Sequence, residues 1–493
     1  MPLVRHIVRS DTLKVRQILV SIGNNIIFGH KISFVYLANM SPRTLVKKLI
    51  PKSLFVKIEP YGHWAEAVIE NIIFGFPTRS LKVIGVTGTA GKTSTCTLVT
   101  HMLRESGYKV AMITTVAIDY GDGRGPQPNS TRMTSLGSLK FLKTVKRIKE
   151  VGCEWLVLET TSQALVQRRV WGVPYTVVAF TNLGHDNFHY HGTFERYRAA
   201  KVMLFRQCNR NRRGLRTGIV NADDPNGRYF SQAIKHPVTY GIDSGELRAT
   251  DISLGLNGSQ FKATIAGDTY AVNSKLPGEF NVYNCLAAIG ITRAVGLNKK
   301  QIETSIASLK SVEGRMNTID AGQDFGVIVD YACTPDSFKT LFAAIKPAVK
   351  GRIITVFGSA GRRDELKRRA QGEIAGQEGD IVILTEEDDR DQDGMQIMEE
   401  IAEGALIAGK KRGKNLFLIH EREAAVQKAI DMAKPNDMVL LLGKGEERVI
   451  ITNKPGFKPS AGHIYNESTD TITRPYNDTK AAKLALKKRL GKH

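Results

Sequence analysis

Residues 84–95 read Ile-Gly-Val-Thr-Gly-Thr-Ala-Gly-Lys-Thr-Ser-Thr, and their reading decides the fold. The apolar run Leu81 to Val86 has the continuous hydrophobicity of a buried strand. Gly88 and Gly91 let the backbone turn tightly and approach an anion. Lys92 adds a positive charge and Thr93 a hydroxyl for Mg²⁺. A helix starting at once aims its free N–H groups at phosphate. Gly88, Thr89, Ala90, Gly91, Lys92, Thr93 and Ser94 are therefore the expected cradle for ATP. The spacing is not a strict P-loop, because Val86 stands where the first glycine would be. A glycine-rich turn without a ligand is the plain alternative, and it leaves Gly-Lys-Thr at a strand-to-helix junction unexplained.

Outward from this loop the pattern is α/β. Strands are expected at 81–87, 109–114, 155–160, 175–183 and 216–222, with helices at 92–106, 136–151, 193–207 and 281–295. That alternation predicts a mostly parallel sheet covered on both faces. A second alternating block begins near Asp324. Its strands are Gly326–Asp330, Ile353–Phe357, Asp380–Leu384, Leu416–Ile419 and Met438–Leu442, with helices at 335–347, 367–376, 394–408 and 421–433, a smaller Rossmann-like unit. The expected organisation is an upstream extension at 1–39, a short helical N-terminal segment at 40–80, a central ATP-binding domain at 81–314, a C-terminal α/β domain at 315–475 and a basic tail at 476–493. Short helices before Arg79 would place Trp64, Ala65, Val68 and Ile69 on one face.

The chain has 493 residues, a formal charge of +22 and 42% hydrophobic residues. Five scattered cysteines with no C-x-x-C pair suggest neither a zinc ribbon nor a disulfide framework, which fits a cytoplasmic protein. The apolar stretch Ile18–Ala38 is interrupted by Gly23-Asn24-Asn25 and His30-Lys31, which argues against a membrane span. The charge suggests nucleic acid, an anionic membrane or a polyanionic substrate. No basic stripe interleaved with aromatics is present, so nucleic acid is not expected. The tail Thr479–His493 carries six Lys/Arg and no acid. It reads as a solvated basic helix, or, through Ala481, Leu484, Ala485 and Leu486, as a weak contact with anionic membrane.

From Leu81 to Val449 the ordered motifs resemble the Mur ligases, which build the stem peptide of peptidoglycan, and among them the members that add its third amino acid. Glu159-Thr-Thr-Ser-Gln-Ala-Leu165 is similar to the family's Glu-Val-Ser-Ser-His-Ala-Leu. A carboxylate at a strand's C-terminal end near a P-loop is well placed for Mg²⁺. By this match Thr134, Ser135, Thr161, Ser162 and Arg169 would contact the acceptor. Thr181-Asn-Leu-Gly-His-Asp-Asn187-Phe-His-Tyr-His-Gly-Thr193 is similar to Thr-Asn-Leu-x-x-Asp-His-Leu-Asp-Tyr-His-Gly-Thr. Here Asn187 replaces a His that ligates a second Mg²⁺. Its carbonyl oxygen still suits a hard cation, and His185 or His189 is the other option.

Lys201 matches the family's carbamylated, metal-ligating lysine. The resemblance further implies Asn281 and Asn284 at adenine, Arg315 at phosphate and Asp330 at ribose. A helix cap explains Asn281 almost as well. Cys333 replaces a His beside Asp330. Gly358-Ser-Ala-Gly-Arg-Arg363-Asp364 resembles Gly-Cys-Gly-Gly-Asp-Arg-Asp, which makes Arg363 a clamp for the amino acid's carboxylate. Glu387-Asp388-Asp389-Arg390 occupies the place of Asp-Asn-Pro-Arg. Gly443-Lys-Gly-Glu446-Glu447 resembles Gly-Lys-Gly-His-Glu. Asp388, Arg390, Gly443 and Glu447 would then meet a diamino acid, diaminopimelate or lysine. The family's N-terminal uridine-binding domain has no counterpart in the reading of residues 40–80, so the acceptor could be a UDP-muramoyl peptide or another anionic peptide.

The resemblance implies an ATP- and Mg²⁺-dependent ligase of cell-wall synthesis, acting as a monomer, with Lys92, Glu159 and Lys201 as the catalytic residues. A folylpolyglutamate synthetase-like ligase and a nucleic-acid-stimulated ATPase are the alternatives. A degenerate scaffold finds support only in Asn187 and Cys333.

Overall fold

A computed structural model of the chain describes residues 52–129, 135–184, 188–255, 258–456, 465 and 470–491. It divides into the compact units Met1–Gly62 and His63–His493. Of the first, the described residues belong to the start of the helix Lys52–Ile73. The expected run of short helices is thus one 22-residue helix followed by the 3-10 turn Pro77–Ser80. Among residues 62–73 of this helix the buried positions are Ala67 and Asn71, while Trp64 and Ile69 are exposed. The helix docks instead through the small Ala67 and through Asn71, whose amide reaches Trp171 O.

The strands of the first sheet are β1 (Lys82–Thr87), β2 (Val110–Ile113), β3 (Ala117–Asp119), β4 (Gln127–Pro128), β5 (Trp155–Glu159), β6 (Tyr175–Phe180), β7 (Thr217–Asn221), β8 (His236–Gly241), β9 (Leu247–Gly255), β10 (Gly258–Ile265) and β11 (Asp268–Ser274). Among the described residues they are ordered β11-β10-β9-β8-β7-β6-β1-β5-β2-β3-β4. The pairs from β2 through β5, β1, β6, β7 and β8 to β9 are parallel. Both ends are antiparallel.

Successive residues of each parallel strand enter opposite cores. Ile84, Val86, Trp155, Val157, Val177 and Ala179 join one core, which includes the helices Lys92–Glu105 and Glu279–Ala294. Val83, Leu156, Leu158, Val178 and Phe180 join the other, which includes Ser138–Val151 and Phe194–Arg210. Gly85 is needed where β1 passes Tyr175, since a Cβ there would lie 2.7 Å from the ring.

The second sheet comprises β12 (Asn317–Thr318), β13 (Gly326–Asp330), β14 (Ile353–Phe357), β15 (Ile381–Leu384), β16 (Leu416–Leu418) and β17 (Met438–Leu442), ordered β12-β13-β17-β14-β15-β16. All its pairs but β12–β13 are parallel. A hairpin of β18 (Val449–Asn453) and β19 (Thr471–Pro475) follows.

The basic tail is not a solvated helix. Asp478–Arg489 buries Ala482, Ala485 and Leu486 in the second domain's core, and Leu484 alone of the expected stripe stays largely exposed. Asp478 anchors it by a two-pronged pair with Arg422, at 2.9 Å for each prong, both side chains fully buried. The apolar half of the membrane-contact argument is thereby spent inside the protein. No helix among the described residues is long and apolar enough to cross a membrane.

Candidate active site

The register of β1 against β5 pairs Val86 with Glu159, and that of β1 against β6 pairs Thr87 with Phe180. The carboxyl ends of three neighbouring strands thus open at one level, where α/β sheets bind ligands. Gly91, with φ of 80°, caps the helix Lys92–Glu105, and its left-handed backbone suits glycine. A Cβ at Gly91 would also lie 2.4 Å from Asn284 Oδ1.

The loop is held from β6. Ala90 N donates to Asn182 Oδ1 at 2.8 Å, while Thr181 Oγ1 and Asn182 Nδ2 donate to Ala90 O at 2.6 and 3.1 Å. Thr89 Oγ1 bonds the Tyr197 hydroxyl at 3.1 Å.

Glu159 is almost wholly buried. It accepts from Thr93 Oγ1 (2.9 Å), Thr115 N (3.0 Å) and Thr115 Oγ1 (2.8 Å), with Lys92 Nζ at 3.9 Å. Lys92 itself donates to Thr89 O at 2.7 Å. A hydroxyl and a carboxylate side by side are the oxygen donors a hard divalent cation takes, so this pair fits Mg²⁺. Lys201 comes from the inner face of Phe194–Arg210, one turn beyond Tyr197. It is buried over the Tyr197 ring, with Nζ 2.7 Å from Gly88 O. Lys92, Glu159 and Lys201 thus meet around one loop.

Ser135, Thr161, Ser162 and Arg169 form a second group beside Glu159. Ser135 Oγ bonds Thr161 Oγ1 at 3.0 Å, and Arg169 donates to Ser135 O at 2.9 Å. Ser162 Oγ bonds His191 Nε2 at 2.9 Å. Thr134, His185 and Asn187 lie outside the described residues. Asn281 is not a helix cap, since Gly278 holds that position. Asn281 and Asn284 are buried, and their amides bond Pro277 O and each other at 2.8 and 2.9 Å.

Arg315 lies just before the second sheet's first strand. It stacks over Tyr331 at 4.5 Å, lies 3.8 Å from Glu446, and is within electrostatic reach of Glu159. Its burial is outweighed by Glu446 and Asp330, which hold its charge firmly. Asp330 is buried, with one oxygen on Met316 N and the other on Ala332 N, both at 2.7 Å. Burial raises its pKa despite Arg315.

Farther along the second domain, Arg363 is exposed and bonds nothing among the described residues. Asp388 is buried, accepting from Lys444 Nζ at 3.0 Å and Ile451 N at 2.8 Å. Arg390 donates to Gly361 O at 2.6 Å. Lys444 also pairs closely with Glu447, whose side chain is a third exposed. Gly443 has φ of 97°, and a Cβ there would stand 2.8 Å from Glu387 Oε2. That Glu387 oxygen is buried without a hydrogen bond, and burial raises the group's pKa.

Sequence reasoning missed Thr115, Glu387, Lys444 and Glu446 as site residues. Thr115 was discernible as a hydroxyl just past the end of β2, which runs beside the strand that delivers Glu159. The others became visible only through burial.

Residues 86–292 match the Mur ligase middle domain, and residues 314–445 match the Mur ligase, glutamate ligase domain. The chain belongs to the Mur ligase family. Members of this family are ATP-dependent ligases. This Mur ligase is 37% identical over 404 residues to the UDP-N-acetylmuramyl-tripeptide synthetase of Roseiflexus sp. (strain RS-1), covering 80% of this chain and 79% of that one. It is 38% identical over 387 residues to the UDP-N-acetylmuramoyl-L-alanyl-D-glutamate--2,6-diaminopimelate ligase of Geobacillus kaustophilus, covering 78% of each. A solved structure of a UDP-N-acetylmuramoyl-L-alanyl-D-glutamate--2,6-diaminopimelate ligase aligns with TM-score 0.55 and 26% identity, over 83% of this chain and 79% of that one.

Proposed function

We propose that this Mur ligase uses ATP to join the terminal carboxylate of a UDP-muramoyl-peptide-like acceptor to the amine of an amino acid, preferably a diamino acid, as a cytoplasmic monomer in peptidoglycan precursor synthesis. The observation that carries this is the meeting of Lys92, Thr93, Glu159 and Lys201 around one phosphate loop, with Arg315 within electrostatic reach of Glu159.

The N–H groups of Gly88–Ser94 and the Lys92 ammonium would cradle the triphosphate, with Asp330 toward the ribose. Thr93 and Glu159 would hold Mg²⁺, which neutralises phosphate charge when bound. Lys201 would take up CO₂, its free amine losing one proton to become an anionic carbamate suited to a second cation with Asn187. Ser135, Thr161, Ser162 and Arg169 would orient the acceptor carboxylate for in-line attack on the γ-phosphorus. ADP leaves and an acyl phosphate forms. The incoming neutral amine then attacks the acyl carbon, its nitrogen gives up one proton, the C–O bond to phosphate breaks, and inorganic phosphate leaves carrying that proton. Positioning and charge neutralisation supply most of such a rate enhancement.

Arg363 would receive the amino acid's carboxylate. Glu387 and Glu447, flanking Gly443, favour a distal ammonium, as in diaminopimelate or lysine. The two relatives at 37% and 38% identity carry names of muramoyl-peptide ligases, which favours this acceptor over folylpolyglutamate. The test is ADP release from ATP, Mg²⁺ and UDP-muramoyl-dipeptide with diaminopimelate or lysine in turn. Release that requires one amino acid supports the reading, and no release with either refutes it.

A further inference from the structure

The turn Gly443–Glu447 ends in two carboxylates with opposite surroundings. Glu447 is paired with Lys444. Glu446 is buried, and neither of its oxygens has a hydrogen-bond partner. A buried carboxylate left this way is costly, so its retention asks for a reason.

Its niche is built for it. Gly314, with φ of 69°, lies against it so closely that a Cβ would stand 2.0 Å from Oε2. Gly445, with φ of 49°, lets the turn pass over Tyr331. Among the described residues its oxygens make one ion pair, with Arg315 at 3.8 Å, too long for a hydrogen bond. Asp330 and Glu447 face it as further negative charges. A cavity of about 20 Å³ adjoins it, lined by Val116, Ala117, Pro126, Glu313 and Arg448, with room for one water. The central domain contributes no charge to that lining.

Arg315 thus makes a long ion pair with Glu446 while also lying within electrostatic reach of Asp330 and of Glu159 beside the phosphate loop. We propose that Glu446 is the resting partner of Arg315 and takes up one proton when nucleotide phosphate draws the guanidinium away. The uptake is a simple addition, Glu446 carboxylate plus H⁺ giving the neutral acid, and it prevents an uncompensated buried anion. Burial already pushes this carboxyl up to about 8, with Arg315 only partly offsetting it, so losing the guanidinium drives it further up. Glu446 is a positioning residue. Above about pH 8, where it is charged, it holds Arg315 back, and when protonated it releases Arg315 to the phosphate. This rests on the reading that Arg315 serves phosphate.

The experiment is calorimetric titration of the full chain with MgADP and with a non-hydrolysable MgATP analogue, in two buffers of different ionisation enthalpy. At pH 8.5 the wild type is expected to take up roughly half a proton or more per nucleotide. At pH 6.5 the uptake should nearly vanish, because Glu446 already carries its proton. Glu446→Gln should bind at pH 8.5 with no uptake. Binding without uptake in the wild type at pH 8.5, or equal uptake in Glu446→Gln, overturns this inference alone. Absence of any nucleotide binding by the wild type overturns it together with the proposed function. Should Glu446→Gln fail to fold, the wild-type contrast between the two pH values decides.

Discussion

Replacing Asp478 with Ala tests whether the basic tail is part of the second domain. Arg422 and Asp478 are both fully buried and joined by two 2.9 Å bonds, and the Tyr476 hydroxyl adds a third contact to Asp478 at 2.6 Å. Removing one partner of a buried ion pair leaves an uncompensated charge and costs about 3–5 kcal/mol. Arg422 retains Glu386 O and Leu442 O as acceptors, which favours the lower end, about 3 kcal/mol. Had the tail been solvated, the loss would be that of one acid at a helix N-terminus, about 0.3–1 kcal/mol.

With a urea slope of about 2–3 kcal/mol/M, the two cases predict midpoint shifts of roughly 1–2 M and under 0.5 M. Trp64, Trp155 and Trp171 are the three tryptophans of the chain and all precede residue 315, so fluorescence does not report this domain. Pulsed hydrogen exchange of peptides covering 326–330 and 438–442, read by mass spectrometry, does. Arg422→Met with Asp478→Leu should recover most of the loss, since neither position then leaves an unpaired buried charge. A shift below 0.5 M for Asp478→Ala would refute the reasoning.

Other expectations follow from the same structure. Lys92→Ala should lower ADP formation at least about 100-fold with an unchanged circular dichroism spectrum, because one preorganised charge at the phosphates is typically worth that much. Depleting CO₂ from the assay should lower turnover and bicarbonate should restore it, as measured by phosphate release, if Lys201 works as a carbamate. Glu446 has a folded pKa near 8 and an unfolded value near 4.5, so the folded state binds the extra proton between them and loses stability as pH rises through that window. Glu446→Gln should therefore match the wild type near pH 4.5 and exceed it by a few kcal/mol at pH 8, read by denaturant midpoints.

How legible the molecule was depended on local pattern. β13, β14 and β17 were read to the residue, because parallel strands buried on both faces are short uninterrupted apolar runs. The antiparallel extension β9–β11 went unread. Its strands alternate buried and exposed residues amid Gly, Ser and Asp, and Leu254 is left exposed in β9. The tail misled because its small residues Ala482 and Ala485 carry little hydrophobic signal yet fill a groove, while its charge suggested solvent. In the site, the loop, Glu159 and Lys201 were legible because their chemistry is tied to strand ends and motif order. Glu446 was not, since in sequence it is one acid in a charged run, and only its burial beneath Gly314 and its distance from Arg315 set it apart.

The most direct measurement follows the acceptor's own oxygen. UDP-muramoyl-dipeptide labelled with ¹⁸O in both oxygens of its terminal carboxylate is turned over with ATP, Mg²⁺ and the preferred amino acid, and the inorganic phosphate is analysed by mass spectrometry. Activation of the carboxylate at the shared crevice predicts one ¹⁸O in each phosphate and one retained in the new amide. Unlabelled phosphate accompanying amide formation would contradict it.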